Sequence, residues 1–266
     1  MNLKNVKVMV ENSILIAGGG KFGEKAVQFA KEKEYNTLII DRDPNCYAAQ
    51  LADDSTTDFQ TLNNMVPQMK NGKILFFKGD ITLSLDVVKI LNPEYLIPVV
   101  PVHFMALLVT EFLKRRSIQI EKNEENVTKF IEKIPLDILL DSVDSEGVVY
   151  LSYAKKNEIC PENCMGPLNY CPNFNREKPI TITKFLTEVF KANKNFYLNE
   201  VSKKIILIVE SKQLRGGLGG IPGSSFQSIL SNLEKNLSWM KINNFKLTIA
   251  TSCNCHGVVN FYNKSK

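Results

Sequence analysis

The residues best suited to chemistry are the cysteines. Five of the six lie in the second half of the chain, at Cys160, Cys164, Cys171, Cys253 and Cys255, while Cys46 stands alone. Cys160-x3-Cys164-x6-Cys171 has a proline directly after its first and last thiol, and Cys253-x-Cys255-His256 follows much later. Three thiolates from one loop and one from a distant segment can close a tetrahedral site. Four thiolates suit a [4Fe–4S] cluster; four cysteines, or three cysteines with a histidine, suit structural zinc. The C-x2-C spacing that zinc sites favour is absent, and Cys-Pro occurs in ferredoxin runs, so iron–sulfur is favoured over zinc. Inert buried thiols sit in apolar strands and helices. Here three lie in a polar, proline-rich stretch and two beside Asn254 and His256. The fourth ligand stays open among Cys253, Cys255 and His256. Two residues apart on a strand share a face, so both thiols reach one site only if the preceding strand persists that far.

The other candidate is a glycine turn. SILIAGGGKFGEKAV holds Gly18-x-Gly20-x-x-Gly23 after an apolar run and at the opening of a helical pattern. Gly18 permits a tight turn, Gly20 leaves room for a pyrophosphate and Gly23 lets helix and strand approach. The helix N-terminus offers free N–H groups to an anion. Asp41 closes the next apolar run, where an acid accepts the ribose hydroxyls of an adenosine. NAD or an adenine nucleotide is therefore the expected ligand at Gly18, Gly20, Gly23 and Asp41.

The stretch ILIAGGGKFGEKAVQFAKEKEYNTLIIDRDPNCYAAQLAD resembles the NAD-binding domain of potassium-uptake regulators of the TrkA type. It is also similar to the N-terminal domain of ATP-grasp carboxylases of the PurK type, most of all at DRDPNCYAAQLADD. The resemblance covers residues 13–60, and KGDIT around Gly79 and Asp80 loosely extends it. The TrkA-type resemblance implies a nucleotide at the glycines and Asp41. The PurK-type resemblance implies a domain that does not itself hold ATP.

These residues need elements to position them. Ser13–Ala17, Thr37–Ile40, Lys73–Phe77 and Tyr95–Val100 are apolar runs separated by helical patterns over 21–33, 83–91 and 104–116. Runs apolar on both faces, alternating with helices, read as a Rossmann-like, doubly wound parallel sheet. A helix over 122–133 and strands over 137–140 and 147–153 follow. The segment 160–179 holds prolines without periodicity and reads as a loop. A second, smaller α/β domain comes next, carrying that loop as its metal-binding segment. It has a helix over 182–192 capped by Thr181 or Thr183, a strand over 204–210, a helix over 226–242 and a strand over 245–252. The domain boundary falls near residue 145, giving units 1–145 and 146–266. LRGGLGGIPGSS (214–225) reads as a glycine-rich loop, either a flexible connection or an anion cradle helped by Lys212 and Arg215, with Ser224 or Ser225 capping the helix. His103 opens a helix and reads as a local hydrogen-bonding residue.

Composition bounds the function. The chain has 266 residues, 44% hydrophobic and 23% charged, with a net charge of +5, which excludes wholesale disorder, collagen and coiled coil. Residues 1–146 carry 17 basic and 21 acidic groups, residues 147–266 carry 16 and 7, so the cysteine half is basic. Such a half can face phosphates or an acidic redox partner. No apolar run reaches membrane-helix length, residues 1–12 lack a secretory pattern, and nucleic-acid signatures are absent. The expectation is a cytoplasmic homo-oligomer acting on a nucleotide or another small molecule, away from membranes and nucleic acid. It is a redox-linked enzyme or protein, suited to an anaerobe, joining a Rossmann-type nucleotide domain to a [4Fe–4S] domain. The alternatives are a nucleotide-sensing regulator with structural zinc, or an enzyme using Cys253 or Cys255 as nucleophile.

Overall fold

A computed structural model of the chain describes residues 10–192 and 195–265; most of the segment read as lacking a secretory pattern lies outside them. Among the described residues no helix is long and apolar enough to cross a membrane. The chain divides into two compact units between Pro101 and Val102. The division is not near residue 145, because the elements that follow Pro101 pair with the C-terminal strands.

The first unit runs β1 (Ser13–Ala17), α1 (Lys21–Glu32), β2 (Asn36–Asp41), β3 (Asp54–Thr56), α2 (Phe59–Met65), β4 (Ile74–Lys78), α3 (Ser84–Leu91) and β5 (Tyr95–Pro98). Its strands are ordered β5-β1-β2-β4-β3, each pair parallel. β1 is buried along its whole length, and Ile14, Leu15 and Ile16 are fully enclosed. Each such side chain contributes roughly 1.5–3 kcal/mol by leaving water. α1 buries Gly23, Ala26, Val27, Phe29 and Ala30, a single helical face, and ends at Glu32, with Glu34 just beyond it in the left-handed region. The Asp58 carboxylate caps α2 by accepting the Thr61 amide at 2.7 Å. With right-handed crossovers, α1 lies on one face of this sheet and α2 and α3 on the other.

The second unit runs α4 (Phe104–Lys114), β6 (Ile120–Lys122), α5 (Glu124–Ile131), β7 (Leu139–Val143), β8 (Val148–Ser152), β9 (Tyr170–Cys171), β10 (Arg176–Glu177), α6 (Ile182–Phe190), β11 (Phe196–Asn199), β12 (Lys204–Glu210), β13 (Lys212–Arg215), β14 (Leu218–Pro222), α7 (Gly223–Lys235), α8 (Leu237–Ile242), β15 (Lys246–Ser252) and β16 (His256–Lys264). Its sheet is ordered β11-β12-β15-β16-β8-β7, with β6 also on β16. Only β12 and β15 pair in parallel; the other pairs are antiparallel. The unit is thus a mixed sheet, and it is the larger of the two, because α4, β6, α5 and β7 belong to it. Val127 and Phe130 of α5, Ile182 and Phe185 of α6, and Ile206, Ile208, Val259 and Phe261 of the sheet form one core. Phe130 stacks on Phe190 with ring centres 5.1 Å apart.

Two expected loops are partly strand. β9 and β10 form a short hairpin inside the proline-rich segment. Residues 214–225 are not an open loop: β13 and β14 pair across Gly216 and Gly217, and α7 begins at Gly223 without a serine cap. The glycines allow the turn, and the apolar Leu218 and Ile221 that follow it are buried. β16 has no clear signal in the sequence because polar Asn260 and Asn263 interrupt its apolar pattern.

Candidate functional site

In the first unit the glycine turn lies between β1 and α1. Gly18 has φ +108, and an added Cβ would stand 2.8 Å from the Val99 carbonyl oxygen. A Cβ on Gly23 would drive into the Gly18 carbonyl, while at Gly20, which precedes α1, nothing lies within 4 Å. Asp41, at the end of β2, is already engaged. It accepts the Gly19 amide on Oδ2 at 2.5 Å and the Asp43 amide on Oδ1 at 2.9 Å. The segment after Asp41 folds back over the turn. The Ala48 amide donates to the Gly19 carbonyl at 2.9 Å, and the buried Cys46 sulfur fills the place where a side chain on Gly19 would go. Burial pushes the Cys46 thiol up, the Ala49 amide pulls against it, and Asp41 and Asp43 raise it further.

In the second unit the expected cysteines converge. β15 ends at Ser252, so Cys253 and Cys255 lie in the turn to β16 and not on one strand face. The turn is fixed from outside. Its carbonyls at Cys253, Asn254 and Cys255 accept the amides of Thr183, Ile182 and Tyr153 at 3.4, 3.3 and 3.0 Å. Two of these amides belong to the first turn of α6, whose cap Thr181 accepts the Lys184 amide.

The loop that carries Cys160, Cys164 and Cys171 is clamped by Arg176. Its guanidinium meets both oxygens of Glu158 at 2.9 Å and donates to the Tyr153 carbonyl. That bidentate bond holds the Glu158 carboxyl below its usual range. The β13–β14 turn supports the same loop from beneath. A Cβ on Gly216 would meet the Asn163 carbonyl oxygen at 2.5 Å, a Cβ on Gly217 would drive into that of Glu162, and the Gly217 amide donates to the Cys164 carbonyl at 3.1 Å. The glycine-rich segment therefore serves the cysteines. Lys212, offered as an anion ligand, pairs with Glu210.

Two of the sulfurs accept backbone amides, while the Cys255 thiol also lies 4.0 Å from the Pro167 carbonyl oxygen, as a donor to it. Cys164 Sγ accepts the Gly166 amide at 3.4 Å and lies 3.7 Å from the Asn173 amide nitrogen. Cys253 Sγ accepts the Cys255 amide at 3.5 Å. His256 stands between two thiols, with Nε2 3.7 Å from Cys160 Sγ and Nδ1 3.8 Å from Cys253 Sγ. Cys171 and Cys255 are buried, the other three partly open. Burial pushes the Cys160 thiol up, and the charges of Cys164, Cys171, Cys255 and Cys253 add to it. Cys160 is thus within electrostatic reach of all four other thiols of the cluster. Among the described residues, no three His, Cys, Asp or Glu side chains stand in metal-holding geometry. The loop brings thiols together, and the metal-binding loop expected from the sequence is not shown by its geometry.

One residue at this site has no signal in the sequence. Lys178 is 2% exposed, and its ammonium donates to Cys255 Sγ at 3.0 Å and to the Pro167 carbonyl. Nothing in REKPIT marks it, since burial of a single lysine leaves no periodic trace. His103, in contrast, is satisfied as a core residue: Nδ1–H donates to Asn260 Oδ1 at 2.6 Å, and the Thr251 hydroxyl donates to Nε2 at 2.8 Å. Burial holds it down at about 4 against that Asn260 bond.

Fold and site define an α/β protein of two units, one with a parallel sheet and a glycine turn, one with a mixed sheet and a gathered set of thiols. Residues 105–265 match the family model AF_1314_C, described as the C-terminal domain of an uncharacterized protein, and residues 14–104 match AF_1314_N, described as the N-terminal domain. The chain belongs to the AF_1314 family, whose two domains meet at residue 104, close to the structural division. A protein of Archaeoglobus fulgidus, described as uncharacterized, is 27% identical over 245 residues, 92% of this chain and 96% of its own length. Two structures of N5-carboxyaminoimidazole synthetase from Staphylococcus aureus, one complexed with ADP, are similar at 18% and 17% identity with TM-scores of 0.22 and 0.23. Those matches cover 55% of this chain, which spans 40% of those solved chains. At these TM-scores they carry no argument about this chain. The TrkA-type resemblance rests on the sequence alone.

Proposed function

We propose that this is a redox-linked protein whose second unit holds a [4Fe–4S] cluster through thiols drawn from Cys160, Cys164, Cys171, Cys253 and Cys255. The observation that carries the reading is the meeting of two cysteine segments, far apart in sequence, around sulfurs that already accept N–H donors. Hydrogen bonds to sulfur stabilise its anionic, metal-ligating form and tune a cluster's potential. When bound, such a cluster supplies one-electron transfer or a Lewis-acidic iron. The chain's own contribution is to fix the thiols with three donors to the Cys253–Cys255 turn, the Arg176–Glu158 clamp and the β13–β14 support. An acidic electron carrier, in a cytoplasmic and anaerobic setting, fits the basic balance of residues 147–266.

The first unit is proposed as a Rossmann-like nucleotide domain taking NAD or an adenine nucleotide. Open space at Gly20 and free amides at the start of α1 support phosphate binding there. Each Asp41 oxygen has a second lone pair, so the carboxylate can accept ribose hydroxyls while keeping Gly19 and Asp43.

Anaerobic purification tests the first part. The expected result is a brown protein absorbing near ~400 nm with about four irons per chain, as four-thiolate clusters do. A colourless protein with one zinc per chain would replace this reading with a structural zinc site, and a protein with neither metal would remove it.

A further inference from the structure

Four thiols suffice for either kind of centre, and five are present, with His256 beside them. We infer that Cys255, not Cys253, is the fourth ligand, and that Lys178 is a positioning residue which offsets the charge of that thiolate; this rests on the metal reading above. A lysine is almost never fully buried unless its charge is paired. Lys178 is among the largest fully buried side chains, yet no carboxylate among the described residues lies within ion-pair reach of it. Its partners are the Pro167 carbonyl, the Cys255 sulfur and the face of the Tyr153 ring, whose centre lies 5.8 Å from the nitrogen. A carbonyl and a ring face carry no net charge, so sulfur is the one partner that can supply an anion. A metal–thiolate centre with Cys255 in it supplies that negative charge.

The position of Cys255 agrees. Gly166, whose amide donates to Cys164 Sγ, would place a Cβ only 3.9 Å from Cys255 Sγ, so the two sulfurs flank one residue. The Asn254 side chain ties the two segments there by donating to the Gly166 carbonyl at 2.8 Å. Cys255, like Cys171, is buried. Cys253, like Cys160, is partly open and stands beside the exposed His256. What separates Cys255 from Cys253 is the buried ammonium on its sulfur. The ligand set is then Cys160, Cys164, Cys171 and Cys255.

Cobalt(II), whose thiolate charge-transfer absorption scales with the number of bound sulfurs, tests the assignment on the full reduced chain. The parent should bind one cobalt with a four-thiolate spectrum, and C253S should keep it. C255S should lose one thiolate's share of the absorption. K178M should bind cobalt roughly ten- to hundredfold more weakly. Should K178M fail to fold, as judged by its circular dichroism melt, the C253S and C255S pair still decides. Loss in C253S with retention in C255S, or equal loss in both, overturns the assignment while leaving the metal reading intact. A parent that takes up neither cobalt nor iron overturns both.

Discussion

The glycine turn of the first unit and the thiol cluster of the other are equally suggestive in sequence, yet the chain treats them differently. In the turn, the fold consumes most of the groups that could serve a ligand. Asp41 is bonded to Gly19 and Asp43, Cys46 covers Gly19, and Gly18 and Gly23 are required by backbone contacts. Only Gly20 has no structural reason to be glycine. In the cluster the reverse holds: glycines, an arginine clamp and helix amides all act to present sulfur, and a buried lysine is left without a carboxylate. A motif that satisfies itself argues for a fold; one that leaves charge uncompensated argues for a ligand.

The largest effects should come from the glycines, and they should separate the two regions. Gly23→Ala must push α1 off the Gly18 carbonyl, and Gly217→Ala combines a φ of +71 with a clash against Glu162. Each should cost roughly 2–4 kcal/mol of stability in urea unfolding. Only Gly217→Ala should also speed the reaction of the five clustered thiols with an aromatic disulfide reagent. Faster thiol reaction in both, or in neither, would break the contrast.

His103 tests whether a buried titratable group of the second unit other than Lys178 is held neutral within the fold. It is neutral and doubly hydrogen-bonded, and burial depresses it to about 4 from an ordinary 6.5. Between those values the unfolded chain binds the proton and the folded chain does not. The contribution is therefore complete above about pH 6.5 and is lost as pH falls toward 4. Lowering the pH from 7.5 to 4.5 should cost the parent roughly 2–3 kcal/mol more unfolding free energy than it costs H103Q. Parallel pH profiles for the two would show that His103 does not titrate on unfolding.

Much of this is readable from the sequence, for physical reasons. β1, β2 and β4 are apolar on both faces, so their strands stand out, and β12 is legible residue for residue at Lys204–Glu210. The cysteine segments are conspicuous because their thiols lie in polar surroundings. What escapes are features set by tertiary packing. β6 and β7 are short and half-exposed, so nothing local assigns them to β16 and β8, and the sequence puts the unit boundary too late. The β13–β14 hairpin has the sequence of a loop because its glycines answer to Asn163 and Glu162, far off in the chain. Lys178 and the Cys46–Gly19 contact leave no trace for the same reason.

That contact gives a smaller test of how tightly the first unit is closed. Gly19→Ala would meet the Cys46 sulfur, whereas in Gly19→Ala/Cys46→Ala the nearest atom would be the Cβ of residue 46, at 3.0 Å. The single substitution should cost roughly 1–3 kcal/mol. Adding Cys46→Ala should recover part of it, a coupling of about 1 kcal/mol in a double-mutant cycle. Additive costs would mean that the two residues are not packed together.

The smallest effect on stability belongs to Gly20, and it bears most directly on the nucleotide. Its φ of −66 suits any residue, and a Cβ there meets open space. Gly20→Ala should change the unfolding free energy by under about 1 kcal/mol, as N-cap exchanges between small residues do. A pyrophosphate seated on the start of α1 would occupy that same space. If the turn binds NAD or ADP, Gly20→Ala should weaken it at least tenfold by calorimetry while the melt stays put, a separation that no packing role for Gly20 produces. Unchanged affinity would place the phosphates elsewhere. Absence of binding by the parent would leave the turn as a packing device, in line with how its other glycines are used.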